Sequence, residues 1–228
     1  ENNVCDSLNI QKRNEVLIGW SKDGFHWNRE NKKPFLPVSE DFHAWNAGNV
    51  QSTAGSPLIV GDSLYFYVSG RYNSKPKHDS NFATGLAMLR RDGFVSMRAG
   101  RKEGYIEIKT QIPANGNYLF VNADVKGTLA VEVLDDNGQP MEGFTKKDCI
   151  SMKKSDKTKQ MISWEKHPGV TSLVGKTVRL KFYLNQADIY AFWISAWQTG
   201  ESGGYTGGGG PGLSDEGIDT PMDKLKNN

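Results

Sequence analysis

Residues 43–52 concentrate side chains that could bind a sugar. One indole ring and three amides lie close together there, at Trp45, Asn46, Asn49 and Gln51. Planar amides can satisfy pairs of hydroxyl groups, and an indole can stack on the C–H face of a sugar ring. Because the segment reads as a loop, where binding sites are common, we predict a saccharide site here. In a second interpretation, which stays open, the asparagines cap turns of their own loop and Trp45 fills the core.

Arg71 is the fifth residue of the predicted substrate-binding set. A strand that ends at Gly70 would deliver Arg71 to a rim, where a guanidinium can pair with a carboxylate or donate to sugar hydroxyls. A surface salt bridge is the alternative. Glu40 and Asp41 are the acidic pair beside residues 43–52, called here the tryptophan loop. Because neighbouring acids in a loop are usually solvated, the catalytic residues stay unknown.

Composition limits the partners and cofactors to consider. A net charge of +2 is too small to indicate nucleic acid, and no apolar run approaches the roughly 20 residues that span a bilayer. No Cys and His pair has metal-ligand spacing, so we predict no metal and no cofactor. Cys5 and Cys149 could form one disulfide or remain two thiols. The lysine-rich residues 146–159 include acidic residues, which favours a solvated loop.

Strands must position these residues, since no window shows convincing 3.6-residue apolar periodicity. Apolar and polar residues alternate in three segments, residues 64–69, 129–133 and 178–184, and residues 16–20 and 189–194 also read as strands. Dipeptides that supply the positive φ of tight turns fall between them, at Asp23-Gly24, Asp92-Gly93, Asn115-Gly116 and Asn137-Gly138. The pattern predicts an all-β fold.

Two segments share a pattern that is typical of a structural repeat. Residues 21–27 form a Ser-Lys-Asp-Gly-Phe-His-Trp turn whose serine and aspartate can bond the amides of the turn. Residues 18–25 and 84–94 both read as a small residue, an apolar strand, a polar pair and Asp-Gly-Phe. The copies lie further apart than the ~40–50 residues of one propeller blade, so an inserted loop is needed.

With these motifs in this order, the chain resembles the C-terminal part of proteins in the glycoside hydrolase family 32/43 clan. Those proteins are five-bladed β-propeller glycosidases, here in a branch with an appended β-sandwich. The resemblance spans residues 15–195, about four fifths of the chain, and is carried by residues 21–27, 45–52, 64–71, 85–94, 119–125, 129–135, 178–182 and 190–193. It implies partial propeller blades in residues 1–99, a jelly-roll-like β-sandwich in 100–198, and a flexible Gly-rich tail in 199–228.

The resemblance also implies a carbohydrate-active, secreted protein, located outside the cell or in the periplasm. Family members take three catalytic carboxylates from early and middle blades, and the early Asp motif is missing here. Arg91-Asp92 precedes Gly93 and not the proline of the family's stabiliser motif. Since glycoside hydrolysis needs at least two carboxyl groups beside one bond, enzymatic activity stays uncertain. We expect the chain to supply one wall of a sugar-binding site.

A partial propeller leaves unpaired strand edges, which seek partners. We therefore expect a second polypeptide besides carbohydrate: a chain with the missing blades or another copy of this one. An alternative function is a non-catalytic extracellular structural or assembly subunit that keeps the glycosidase-like fold. In a third reading, residues 100–198 bind glycan through Tyr190, Phe192 and Trp193, although their alternation within a strand favours core packing. Neither the sugar nor its linkage is indicated.

Overall fold

A computed structural model describes residues 13–21, 23–41, 43–52, 57–72 and 82–203. Within these residues the fold is all-β, as predicted, and the helical element is a single 3-10 turn at Thr171–Leu173. No helix of the described part is long and apolar enough to cross a membrane. The described residues form two compact units: the first lies within Glu1–Leu58 and Leu64–Met88, the second within Ile59–Ser63 and Leu89–Asn228.

Eleven strands occur in the part of the chain that the structure describes. In chain order they are β1 Trp20–Ser21, β2 Trp27–Asn28, β3 Asn49–Ser52, β4 Leu58–Val60, β5 Ser63–Arg71, β6 Phe82–Arg90, β7 Met97–Ala99, β8 Gly104–Gln111, β9 Tyr118–Leu134, β10 Met152–Ile162 and β11 Thr177–Ser195. They form a β1-β2 pair, a four-stranded sheet in the order β3-β5-β4 with β6 on β5, and a five-stranded sheet.

The second unit is built on the five-stranded antiparallel sheet. Its strand order is β10-β9-β11-β7, and β8 pairs with another part of β11. The two longest strands, β9 and β11, pair along nearly their whole length, from Tyr118 opposite Ser195 to Leu134 opposite Arg179. β11 is therefore the strand that holds the sheet together.

A β-bulge keeps the apolar side of β11 on the core. Val178, Leu180, Phe182 and Leu184 are buried at alternate positions, after which the buried positions move to Ala187 and Ile189. The register shifts between Asn185 and Ala187, where Gln186 has a φ of 44°. Because one extra residue reverses which face each later side chain occupies, the bulge corrects a sequence whose alternation changes phase.

The core of the second unit lies against one face of this sheet. Trp164 is buried, and its Nε1 donates to the Val131 carbonyl oxygen at 3.0 Å. The ring of Phe144 meets that of Trp164 edge-on, with centroids 5.1 Å apart. Cys149 is a buried free thiol whose Sγ accepts from the Val131 amide, and burial raises its pKa. Its possible disulfide partner, Cys5, lies outside the described residues.

The first unit has a much smaller core. Val38, Val50 and Val68 are its clustered buried hydrophobic residues among those described, and partly buried neighbours pack around them: Val16, Leu36, Trp45, Phe66 and Ala87. The ring of Phe35 meets that of Phe66 edge-on at 6.0 Å. The cluster covers one face of the four-stranded sheet.

Two local predictions are wrong. The buried strand expected at residues 16–20 is reduced to Trp20–Ser21, and the Trp20 side chain is 43% exposed. The loop expected at residues 146–159 gives way to β10 from Met152 onward. β10 lies at the edge of its sheet and has only three buried residues among its eleven, so its lysines mask the strand pattern.

The last segment of the first unit ends at Met88 and the second unit resumes at Leu89, which is earlier in the chain than the domain boundary that the sequence predicts at residue 99. β7 belongs to the second unit because Ala99 pairs with Ala187 of β11. Of the tail from residue 199, residues 199–203 are described, and the Trp193 Nε1 donates to the Gly200 carbonyl oxygen. Residues 204–228 lie outside the described part. The propeller origin of the first unit and the sandwich character of the second stay predictions.

Candidate functional site

The predicted turn after β1 is held by its own side chains. The Ser21 Oγ accepts from the Gly24 amide at 2.8 Å, and the Asp23 Oδ1 accepts from the Phe25 and His26 amides at 2.9 and 2.8 Å. Hydrogen bonds from the His26 backbone and ring, followed by that from Phe25, hold the pKa of the Asp23 carboxyl well below its usual range. The turn therefore holds its shape while the Phe25 ring stays 86% exposed.

Trp45 lies on the covered face of the four-stranded sheet. Its ring rests on two glycines of adjacent strands, Gly70 and Gly85, where a Cβ at either position would overlap the indole. Both glycines are therefore needed for this close approach. The indole packs with the small hydrophobic cluster around Val50 and Val68, which is the arrangement of the core-filling interpretation.

The other polar residues in and beside this loop bond mainly to neighbouring segments of the first unit. The Asn46 Nδ2 donates to the Pro37 carbonyl oxygen at 3.4 Å. The Asp41 Oδ1 accepts from the His43 amide at 2.9 Å, while the Glu40 side chain is 95% exposed and has the Arg13 guanidinium at 3.9 Å. Both acids therefore sit in a solvated loop, as their sequence context indicates.

Three predicted site residues share the opposite face of the same sheet. Asn49 stands directly opposite Arg71 across β3 and β5, while Gln51 stands opposite Ser69. Directly opposed residues point to the same side of a sheet, and alternate residues along a strand share a face. Asn49, Gln51 and Arg71 thus face away from the side that carries Val50 and Trp45, but only Gln51 and Arg71 are exposed, since Asn49 is 7% exposed.

Aromatic and apolar side chains complete this face, called here the outer sheet face. The Arg71 guanidinium lies 4.6 Å from the ring centroid of Phe82, and the Phe82 side chain is 63% exposed. Burial alternates strictly from Phe82 to Leu89, so the exposed positions of β6 share one side. The outer sheet face comprises Asn49, Gln51, Tyr67, Ser69, Arg71, Phe82, Thr84, Leu86 and Met88.

The outer sheet face offers hydrogen-bonding groups beside exposed rings. Its guanidinium provides donors in a planar fork, its amides provide donors and acceptors, and Tyr67 and Phe82 provide ring surface. None of its residues is Asp or Glu. The arrangement suits the recognition of a polar ligand with an apolar side and holds no pair of carboxyl groups for hydrolysis.

The aromatic residues of the alternative glycan site, Tyr190, Phe192 and Trp193, are largely packed. Trp193 is 5% exposed and its ring stacks on that of Phe120 with centroids 5.7 Å apart. The Arg90 guanidinium lies 5.0 Å from the ring centroid of Tyr190. Phe192 packs against the core of the second unit. The core packing predicted for this strand is confirmed at Trp193.

One candidate group of residues, on the five-stranded sheet, is not predicted by the sequence analysis. Tyr105 is exposed on β8 and is directly opposite Tyr183 of β11. The available signal was the alternation of polar and apolar residues in both strands, which places tyrosines and opposite charges on the side away from the core. Among the described residues, no group of three or more His, Cys, Asp and Glu could hold a metal ion.

Comparison of the chain with models of protein families, with curated proteins and with solved structures finds no match.

Proposed function

We propose that this protein is a non-catalytic carbohydrate-binding module, similar to the C-terminal portion of a propeller glycosidase, and that it binds sugar on the outer sheet face. One observation carries the proposal. Gln51 and Arg71, two of the sugar ligands that the sequence predicts, share a face with the exposed rings of Tyr67 and Phe82, while Asn49, opposite Arg71, is buried.

The arrangement suggests how a sugar would bind. The C–H side of the sugar stacks on the exposed part of the Phe82 ring. The Arg71 guanidinium beside this ring donates to two neighbouring hydroxyl groups. The exposed Gln51 amide adds a donor and an acceptor. Because Arg71 already rests on Phe82, little side-chain entropy is lost when the ligand arrives.

The chemistry of the described residues near these ligands supports the non-catalytic part of the proposal. Two carboxyl groups must flank the scissile bond. The outer sheet face has none, and Glu40 and Asp41 belong to a solvated loop. Trp45 is given a supporting role, since it packs behind Gly70 on the other side of the sheet.

Glycan-array screening followed by calorimetric titration of the best ligand tests the proposal. Arg71→Ala and Phe82→Ala should each weaken binding about tenfold, the scale expected of a central interface residue. Phe25→Ala removes another exposed ring of the first unit, lies off the outer sheet face and should bind like the wild type. If both face variants retain wild-type affinity, the outer sheet face is not the sugar site.

An assembly subunit is the second candidate, and the apolar part of the outer sheet face favours it. Phe82, Leu86 and Met88 follow one another on one side of β6 and are 63%, 46% and 66% exposed. Clustered exposed apolar residues usually mark an interaction surface. Light scattering distinguishes the two functions. An oligomer that Leu86→Lys converts to a monomer, in a chain that binds no glycan, would favour assembly.

A further inference from the structure

We infer that the second unit carries a binding site of its own for an uncharged polysaccharide, on the solvent side of the five-stranded sheet. The site is called the tyrosine–lysine face. Its members are Glu103, Tyr105, Glu107, Glu132, Lys146, Arg179, Lys181 and Tyr183. It shares no residue with the outer sheet face, so it goes beyond the proposed function and does not depend on it.

Strand register places these side chains in ordered rows. Lys181 lies between Glu107 of β8 on one side and Glu132 of β9 on the other, and Tyr183 lies opposite Tyr105. The alternate residues of β11, such as Phe182, are buried in the core. A site built on paired strands over a packed core is held more firmly than one built on loops.

Contacts within the face hold the long side chains in place. The Lys181 Nζ lies 4.2 Å from the ring centroid of Tyr105 and 5.4 Å from that of Tyr183. The Lys146 Nζ lies 4.3 Å from the Tyr183 centroid and 2.6 Å from the Glu103 Oε1. Each ammonium is therefore positioned by at least one aromatic ring.

Tyr183 is a neutral hydrogen-bond donor at physiological pH. Its hydroxyl donates to the Glu132 Oε2 at 2.7 Å. Burial, followed by this glutamate, raises the pKa of Tyr183 to about 12. The Glu132 carboxylate therefore holds a hydrogen-bond acceptor at a fixed position beside the Tyr183 ring.

Charge compensation identifies the class of ligand. Three carboxylates (Glu103, Glu107 and Glu132) stand against three cations (Lys146, Lys181 and Arg179), and the Arg179 Nη1 lies 3.1 Å from the Glu107 Oε1. Lys109, which stands opposite Arg179, is balanced in turn by Asp136. A face without net charge does not attract a polyanion or a polycation. Its carboxylate oxygens and ammonium groups can still accept from and donate to the hydroxyl groups of a neutral sugar.

Tyr105 supplies the stacking surface. Its side chain is 63% exposed, although Lys181 lies close to its ring. The Tyr183 ring is 6.4 Å away and tilted by 49°. The exposed Tyr105 ring lies beside a row of hydrogen-bonding groups along β8 and β11, which favours a polysaccharide chain over a single sugar.

Affinity gel electrophoresis of the full chain tests the inference. The gels contain a soluble neutral polysaccharide (β-glucan, arabinoxylan, galactomannan or inulin) or an acidic one (polygalacturonate or heparin). We expect retardation by at least one neutral polymer, unchanged by about 0.5 M NaCl because no net charge is engaged. Tyr105→Ala should weaken it about tenfold, Tyr105→Phe should retain it, and Ile150→Ala, which removes another exposed side chain of the second unit, should match the wild type.

Three outcomes would overturn the inference. The first is that no neutral polymer retards the protein, and the second is that Tyr105→Ala is retarded as strongly as the wild type. The third is that only an acidic polymer retards the protein and that salt abolishes this retardation. The Arg71→Ala and Phe82→Ala double variant separates the two sites. If the double variant keeps the Tyr105-dependent retardation, the second site stands alone. If it abolishes all binding while Tyr105→Ala has no effect, the second site is rejected and the proposed function stands.

Discussion

In the second unit, 22 hydrophobic residues form one buried cluster, whereas the corresponding cluster of the first unit holds three among the described residues. Both units are made of strands with alternating apolar residues. They differ in how much of each sheet is covered. β11 has neighbours along both edges, and its core face is filled by Trp164 and Phe144, while β6 leaves Phe82 and Met88 exposed on its outer side. A strand pattern therefore predicts a sheet without predicting what covers it.

Sheet edges show a related contrast. β10, an edge of the five-stranded sheet, carries Lys153, Lys154, Lys157 and Lys159 and has two register shifts. Charged side chains and bulges both discourage the pairing of an exposed edge with another chain. The second unit is therefore protected against association through β10, whereas the exposed apolar residues of β6 belong to the first unit.

The largest expected effect tests the difference between the cores. Phe182→Ala, at a fully buried site of the second unit, should lower the free energy of unfolding by about 3–5 kcal/mol. Val50→Ala, in the small cluster of the first unit, should cost about 1–3 kcal/mol. Urea unfolding followed by circular dichroism measures both. A cost at Phe182 no larger than that at Val50 would contradict the comparison.

An intermediate effect tests the packing of Trp45 in the first unit. Gly85→Ala places a Cβ inside the space of the indole and should destabilise the first unit by about 1–3 kcal/mol. Gly100→Ala is the matched control, because a Cβ there meets open space. Urea titration with limited proteolysis reports the change. Equal stability of the two variants would mean that Trp45 does not rest on Gly85.

The smallest effect concerns the turn at Asp23. Its pKa is held below the ordinary value of 3.8, so the charged form stabilises the turn, fully above about pH 4 and less as the pH falls through the lowered pKa. Hydrogen exchange of the Phe25 and His26 amides, followed by NMR, should show protection that declines in acid. In Asp23→Asn the decline should disappear; a decline that persists would assign it to another group.

The alternation of apolar and polar residues correctly predicts three strands. Residues 64–69 lie in β5, residues 129–133 in β9 and residues 178–184 in β11. β10 was missed because an edge strand buries few side chains, so lysines occupy positions that would be apolar in a central strand. The full lengths of β9 and β11 were hidden by bulges, at which the alternation changes phase.

The candidate sites were harder to predict because they depend on pairing between distant residues. Composition identified Asn49 and Arg71 separately, but only the register of β3 with β5 shows that they share a face. The two interpretations of Trp45 differed in which side of a sheet the ring covers, and the sequence around Trp45 does not contain Gly70 or Gly85. Tyr105 and Tyr183 meet only because β8 pairs with β11.

The position of β11 has a consequence for how the polypeptide acquires its structure during synthesis. β7 and β8 pair with no strand of the described sheet except β11, which is also its last strand. Until the ribosome has released residues 177–195, only β9 and β10 can join, and two strands alone are marginally stable. Contacts between residues so far apart along the chain form slowly. The second unit is therefore expected to fold after translation of its final strand and not progressively from its N-terminal end.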